Sequence, residues 1–221
     1  SNPVRARFYE YPRFTYPWHF HSEYEIIYVE KGEGDCLVGD SIISYSKGDL
    51  ILFGSELPHS MQSPPDDGEE SDNEEKSELK VRGVNIQFEK DFMHYSISQY
   101  SQFIPIRNLL EDACRGIKFT ITRSGKIIKL LKQIPSAKGA DQIILLLSLL
   151  QMMAISNHKK YLTTSHYTPS PSIMRNERME KVIAYLNKHY TESIGLDEIA
   201  SYTAMNLSLI HISEPTRRSY I

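Results

Sequence analysis

The sequence predicts an α+β chain, β-rich in its first half and helical in its second. From Phe14 to Phe88, β-branched and aromatic runs are separated by turn residues at a spacing of roughly 8 to 12 residues, the pattern of a sandwich or barrel. Beyond Phe88 the apolar residues change to helical spacing. A Ser/Thr/Pro-rich stretch, Thr163 to Ser172, then marks a linker before a last helical segment.

The first clear strand is Tyr24 to Val29, broken by Gly32 and Gly34. Strands are also expected at Asp35 to Val38, Ser41 to Ser44, Asp49 to Phe53 and Val81 to Phe88, with turns at Gly39-Asp40, Lys47-Gly48 and Leu57-Pro58. The stretch 63–80 carries eight acidic residues and nothing apolar before Leu79. Too little burial is available there to offset ordering entropy, so it reads as a solvated, mobile loop; partner or cation binding is the alternative. Ile104, Leu109, Leu110, Ala113 and Ile117 mark one helix, and Ile127, Ile128, Leu130, Leu131 and Ile134 a second. A third, Gly139 to Ser156, is apolar almost all round. Such a helix is either a core helix or one shared with a second subunit, and Leu146 and Leu150 are taken as outward positions.

With 221 residues, 40% hydrophobic and 24% charged, the chain is long enough to bury a core, and wholesale disorder is excluded. A formal charge of -3 leaves no chain-wide footprint for nucleic acid or anionic membrane. The longest nearly apolar stretch falls short of the about 20 residues a membrane span needs, so no membrane partner is expected. Cys36 and Cys114 form no C-x-x-C pair, which fits a reducing, cytoplasmic setting. No Ser-His-Asp order, phosphate loop or H-E-x-x-H is found, so enzymatic activity rests on a metal alone.

The chemistry concentrates in His19-Phe20-His21-Ser22-Glu23-Tyr24-Glu25. In one extended strand, residues two apart share a face, so His19, His21 and Glu25 would point the same way. Pro58-His59 adds an imidazole from a later strand. Three imidazoles and a carboxylate have the donor chemistry for Fe, Mn, Ni or Zn with an open position. Three readings of His19, His21, Glu25 and His59 stay open: an effector pocket without metal, a metal centre, and histidines satisfied by neighbouring side chains. Tyr16, Trp18 and Tyr28 are candidates for pocket wall or plain core.

This pattern resembles the cupin signature, H-x-H-x3-E-x6-G followed by G-D and P-H, standing here as His19, His21, Glu25, Gly32, Gly48, Asp49, Pro58 and His59. With Leu196-Asp197-Glu198-Ile199-Ala200 after the linker, the chain is similar to AraC-type bacterial transcription regulators. The resemblance implies a cupin-type β-barrel (jelly roll) at 1–95, dimerisation helices at 96–162, a linker at 163–174 and a helix-turn-helix at 175–208. Leu196, Ile199, Ala200, Asn206 and Ser208 belong to that last unit. It further implies a small-molecule effector, no resident cofactor unless a divalent metal binds, and a homodimer. A metal-dependent cupin oxygenase or isomerase is the rival.

The helix-turn-helix departs from the family after Ser208. Pro215 would end any helix begun there, and the tail 209–221 reads as foreign sequence. From Arg175 to Ile221, six Lys or Arg face six acids, a poor surface for phosphates. The chain therefore reads as a fragment that does not bind DNA specifically, although its intact parent would.

Overall fold

The computed structural model describes residues 2–64, 80–121 and 125–168, and the chain divides into two compact units, Ser1–Tyr167 and Thr168–Ile221. In the first unit the strands are β1 (Val4–Tyr11), β2 (Thr15–His19), β3 (Tyr24–Lys31), β4 (Gly34–Val38), β5 (Ser41–Tyr45), β6 (Asp49–Phe53), β7 (His59–Gln62), β8 (Val81–Phe88), β9 (Ile117–Thr120) and β10 (Lys159–Tyr161). The α-helices are α1 (His94–Gln99), α2 (Ile104–Asp112), α3 (Gly125–Gln133) and α4 (Gly139–Ala154). Pairing is antiparallel throughout, in a six-stranded sheet of order β1-β8-β3-β6-β9-β10 and a four-stranded sheet of order β2-β7-β4-β5. Among the described residues the hydrogen bonding does not run round into the closed barrel that the resemblance implies.

The six-stranded sheet is the middle of three layers, which accounts for the composition of its central strands. Ile26, Tyr28, Leu50, Leu52, Val84, Ile86 and Phe88 face the helices, where they meet Ile106, Leu109, Leu131, Leu146, Leu149, Leu150 and Met153. The alternate residues, Ile27, Val29, Ile51, Phe53 and Val81, face the small sheet and join Phe14, Cys36, Val38, Tyr45 and Met61. Covered on both sides, β6 is buried at every position and β3 over Glu25 to Val29. Such strands read as continuous apolar runs, because there is no solvent face for a polar alternation to mark.

Several expectations change at this level. Ile117, assigned to a helical stripe, opens β9; α2 ends at Asp112, and a short 3-10 turn with Gly116 at φ +64° redirects the chain into the sheet. The segment 96–162 thus supplies two strands to the large sheet as well as helices. Strands β1, β9 and β10 and helix α1 have no assignment from periodicity, being short or edge elements, and β2 and β7 are expected only as the extended segments that carry His19 and His59. Leu146 and Leu150, expected to point outward on α4, are fully buried within the chain's own core. The exposed apolar residues of that helix region are Ile144 and Ile155. The helix is therefore a core helix along the face carrying Leu146, Leu149, Leu150 and Met153.

Cys36 and Cys114 are both free. No helix among the described residues is long and apolar enough to cross a membrane. The acidic residues 65–79 lie outside the described residues, as do the helix-turn-helix candidates Leu196, Ile199, Ala200, Asn206 and Ser208 and the tail 209–221.

Candidate functional site

His19, His21, Glu25 and His59 converge: one donor atom from each lies within 4.8 Å of the others. The route differs from the one their spacing suggests. His19 ends β2 in the small sheet, His21 lies in the crossing that follows, and Glu25 belongs to β3 in the large sheet. They do not share a strand, so strand parity is not what brings them together. His19 instead pairs across the small sheet with His59 of β7, while the crossing carries the chain to Glu25 on the facing sheet. A register irregularity between Tyr16 and His19 sets three steps on β2 against two on β7, from Met61 to His59. A bulge of this kind re-aims side chains at a sheet edge.

The three rings are held alike. Nδ1 of His19 donates to the Pro17 carbonyl at 2.8 Å, that of His21 to the Glu23 carbonyl at 3.0 Å and that of His59 to the Leu57 carbonyl at 2.8 Å. A carbonyl only accepts, so these contacts place a proton on each Nδ1 and turn each Nε2 into the cluster, those of His59 and His21 onto Glu25. Main-chain anchoring of one ring nitrogen so that the other is presented is the usual arrangement behind metal-ligating histidines. The ring centroids of His19 and His59 are 4.5 Å apart, and His59 stacks on Phe53 at 4.1 Å, which locks its plane.

Glu25 is the hub. Its Oε2 lies 2.8 Å from His59 Nε2 and 3.4 Å from His21 Nε2. Its Oε1 accepts from Asn85 Nδ2 at 2.6 Å and Gln87 Nε2 at 3.1 Å. Glu25 is only 5% exposed. Burial pushes its pKa up, but His21, His59 and Asn85 outweigh burial and hold it well below the usual carboxylate range. The bond to Glu25 in turn raises His21 against the effect of burial. His19 is lowered, first by burial and then by the neighbouring His59. The site therefore concentrates a retained negative charge among imidazoles, a donor set suited to a borderline divalent cation such as Fe, Mn, Ni or Zn.

Asn85 and Gln87 escaped the sequence reading, although a signal exists. In Val-Arg-Gly-Val-Asn-Ile-Gln-Phe the alternate residues Val84, Ile86 and Phe88 are apolar, so two amides share the other face of a strand that is largely buried. Both amides also border a cleft of about 780 Å³, together with Arg5, Arg7, Lys138 and Gln142. Of the wall candidates, Tyr16 lies beside the cluster, its ring 6.5 Å from His19, and donates to the Tyr11 hydroxyl. Trp18 is half-buried and makes no ring contact with the cluster. Tyr28 lies on the opposite face of β3, in the helix-side core, and does not line the site. Asp49 of the Gly48-Asp49 pair serves the β5–β6 turn instead, accepting from the Ser46 amide at 2.9 Å and from Lys118 at 3.3 Å.

With this geometry in place, comparison with known proteins points to a class. Residues 2–72, which contain the whole imidazole and carboxylate cluster, match the model of the AraC-like ligand binding domain. Among curated proteins the chain is similar to YbfI of Bacillus subtilis (strain 168), described as an uncharacterized HTH-type transcriptional regulator, at 23% identity over 197 residues. The alignment covers 85% of this chain and 61% of that protein, so the chain spans under two thirds of its relative's length. Among solved structures it is similar to ToxT from Vibrio cholerae bound to (E)-4-(8-methylnaphthalen-1-yl)but-3-enoic acid, at 14% identity, a TM-score of 0.47 and coverage of 96% and 76% of the two chains. It is also similar to a point mutant of Bacillus subtilis oxalate decarboxylase OxdC, at 20% identity, a TM-score of 0.31 and coverage of 49% and 29%.

Proposed function

We propose that the chain is the sensing part of a ligand-responsive transcription regulator of the AraC type, its two-sheet unit a variant of the cupin jelly roll. The observation that carries this reading is that the stretch matching an AraC-like ligand binding domain is the one that supplies His19, His21, Glu25 and His59 to a single site. A cleft bordered by Asn85 and Gln87, the two amides bonded to Glu25, though not by the four donors themselves, is of the size that small-molecule sites occupy, and Arg7 and Lys138 on its lining suit an effector bearing an acidic group. The effector acts by binding one arrangement of the regulator more tightly than another, since a ligand without differential affinity shifts nothing. The intact regulator binds DNA as a homodimer and is not an enzyme. Ile144 and Ile155, exposed on and just beyond α4, are among the exposed apolar residues that a subunit contact would cover.

The test is a thermal-shift screen of the dialysed chain against organic acids, sugars and divalent ions. A true effector raises the midpoint, and Glu25→Gln, which disturbs the amides bordering the cleft, diminishes the rise. Transcript profiling of a strain lacking the gene, with and without that compound, then checks regulation. A stabilising compound whose effect survives both His21→Ala and Glu25→Gln would place the effector elsewhere.

A second reading is favoured by one observation, the three anchored imidazoles presenting Nε2 beside a retained carboxylate. In it the site is a metal centre with His19, His21, Glu25 and His59 as ligands. A bound ion there would supply Lewis-acid or redox chemistry, and Arg7 and Lys138, on the cleft that Asn85 and Gln87 border, would be the cations available to an anionic substrate. Metal analysis after purification without chelators, followed by turnover assays on small carboxylic acids, separates this from a sensor.

A further inference from the structure

The stretch Leu162–Tyr167, just ahead of the second unit, is strapped to the site-bearing sheet. Leu162 and Thr163 are buried, and their amides donate to the carbonyls of Gly116 at 3.0 Å and Arg115 at 3.1 Å. The Thr164 amide donates to Asp40 Oδ1 at 3.0 Å, and its hydroxyl donates to Asp40 Oδ2. Tyr167 closes a turn by donating to the Thr164 carbonyl at 3.2 Å. The fit is close: Gly39 has φ +54°, and a Cβ there would lie 2.7 Å from Thr163 Cγ2 and 2.9 Å from the Tyr167 ring.

The turn that holds the strap is also the turn that holds the site. Val38 pairs with His59, and the Gly39 amide donates to the carbonyl of Pro58, the residue before His59, at 2.9 Å. One residue earlier, Leu57 supplies the carbonyl that fixes the His59 ring. A single step of backbone therefore separates a ligand atom from the bond to Gly39, and one more separates Gly39 from the carboxylate gripping Thr164. Close-packed contacts of this kind transmit sub-ångström displacements instead of absorbing them.

We propose that Leu162–Tyr167 is the output strap of the site. Occupancy at His59 moves the Leu57–His59 backbone, shifts the Val38–Asp40 turn, and changes how firmly the strap is held where the chain enters its second unit. The proposal rests on the reading that His19, His21, Glu25 and His59 bind a ligand. By reciprocity, loosening the strap must change the affinity of the site by the factor with which occupancy changes the strap.

The test uses the full chain, stripped with EDTA, with Zn²⁺ as probe and amide hydrogen exchange of the peptide covering 160–168 as readout. Asp40→Ala is expected to speed exchange there roughly tenfold, with Asp40→Asn intermediate because its amide oxygen still accepts from Thr164. Zn²⁺ should change the exchange of the native strap by about threefold or more, and Asp40→Ala should shift the Zn²⁺ dissociation constant by a comparable factor. A strap that loosens in Asp40→Ala while zinc affinity stays within about twofold would overturn the proposal. If zinc does not bind the native chain, the metal reading of the site fails, and the strap is judged on His59→Gln. Altered exchange at 160–168 in that variant upholds the coupling, and unaltered exchange overturns it. Should Asp40→Ala fail to fold, Asp40→Asn carries the affinity comparison.

Discussion

Replacing Glu25 by Ala removes a carboxylate that accepts from Asn85, Gln87, His59 and, at longer range, His21. The amides of Asn85 and Gln87 border a cleft and can turn to water, whereas His59 is 2% exposed and its Nε2 is turned inward onto Glu25. Leaving a buried polar group without its partner costs about 1 to 3 kcal/mol, and hydration of the two amides returns part of the rest, so about 2 kcal/mol is expected. Glu25→Gln keeps an acceptor oxygen for Asn85 and Gln87 and nearly the same shape, so its cost should be smaller, about 1 kcal/mol. Urea unfolding of the EDTA-treated chain at neutral pH reads both values from the midpoint shift. The pH profile supplies the sign. Glu25, depressed when folded, contributes stability that is complete above its unfolded value of 4.5 and is lost as pH falls below that. His21, raised when folded, contributes stability that is complete below 6.5 and is lost as pH rises through its folded value. His19 is lowered and works the other way, removing stability as pH falls below 6.5. Glu25→Gln should erase the acid limb due to the carboxyl and shrink the alkaline loss due to His21, whose shift comes first from Glu25. If Glu25→Ala lies within about 0.5 kcal/mol of the native chain, the buried four-donor hub does not exist in solution.

Other outcomes follow from the same geometry. If the site takes metal, His21→Ala or His59→Ala should weaken Zn²⁺ binding by roughly 10-fold or more in calorimetry, whereas Glu23→Ala should cost far less, since its carboxylate pairs with Arg5 at 2.6 Å and meets only Nδ1 of His21, at 3.7 Å. Leu149→Ala should cost about 2 to 5 kcal/mol in urea unfolding, because its side chain is fully buried between helix and sheet. Ile144→Asp, at a position 58% exposed, should leave the unfolding midpoint almost unchanged, and light scattering should show a dimer of the native chain converted to monomer. Arg7→Ala should weaken any acidic effector found by the screen more than a neutral one of the same size, measured by titration calorimetry.

How much was legible in the sequence depended on whether a residue's environment is set locally. The turns around Gly39, Gly48 and Pro58, the strands β3 to β6 and β8, and the cores of α2 to α4 announce themselves because propensity and periodicity act over a few residues. The donor types at His19, His21, Glu25 and His59 were equally plain, since their chemistry does not depend on the fold. Which of them meet, and how, was decided by two sheets folding face to face. His19 and Glu25 come from opposite sheets, and a bulge, not strand parity, aims His19 at His59. The same layering put Tyr28 on the far side of β3 and brought in Asn85 and Gln87 from 60 and 62 residues beyond Glu25. It also buried Leu146 and Leu150, because an apolar helix beside a two-sided sheet turns toward the nearest apolar face. Periodicity reports that a residue is buried. Only tertiary packing decides against what, because apolar attraction has no direction and leaves the choice of partner to chain topology and shape.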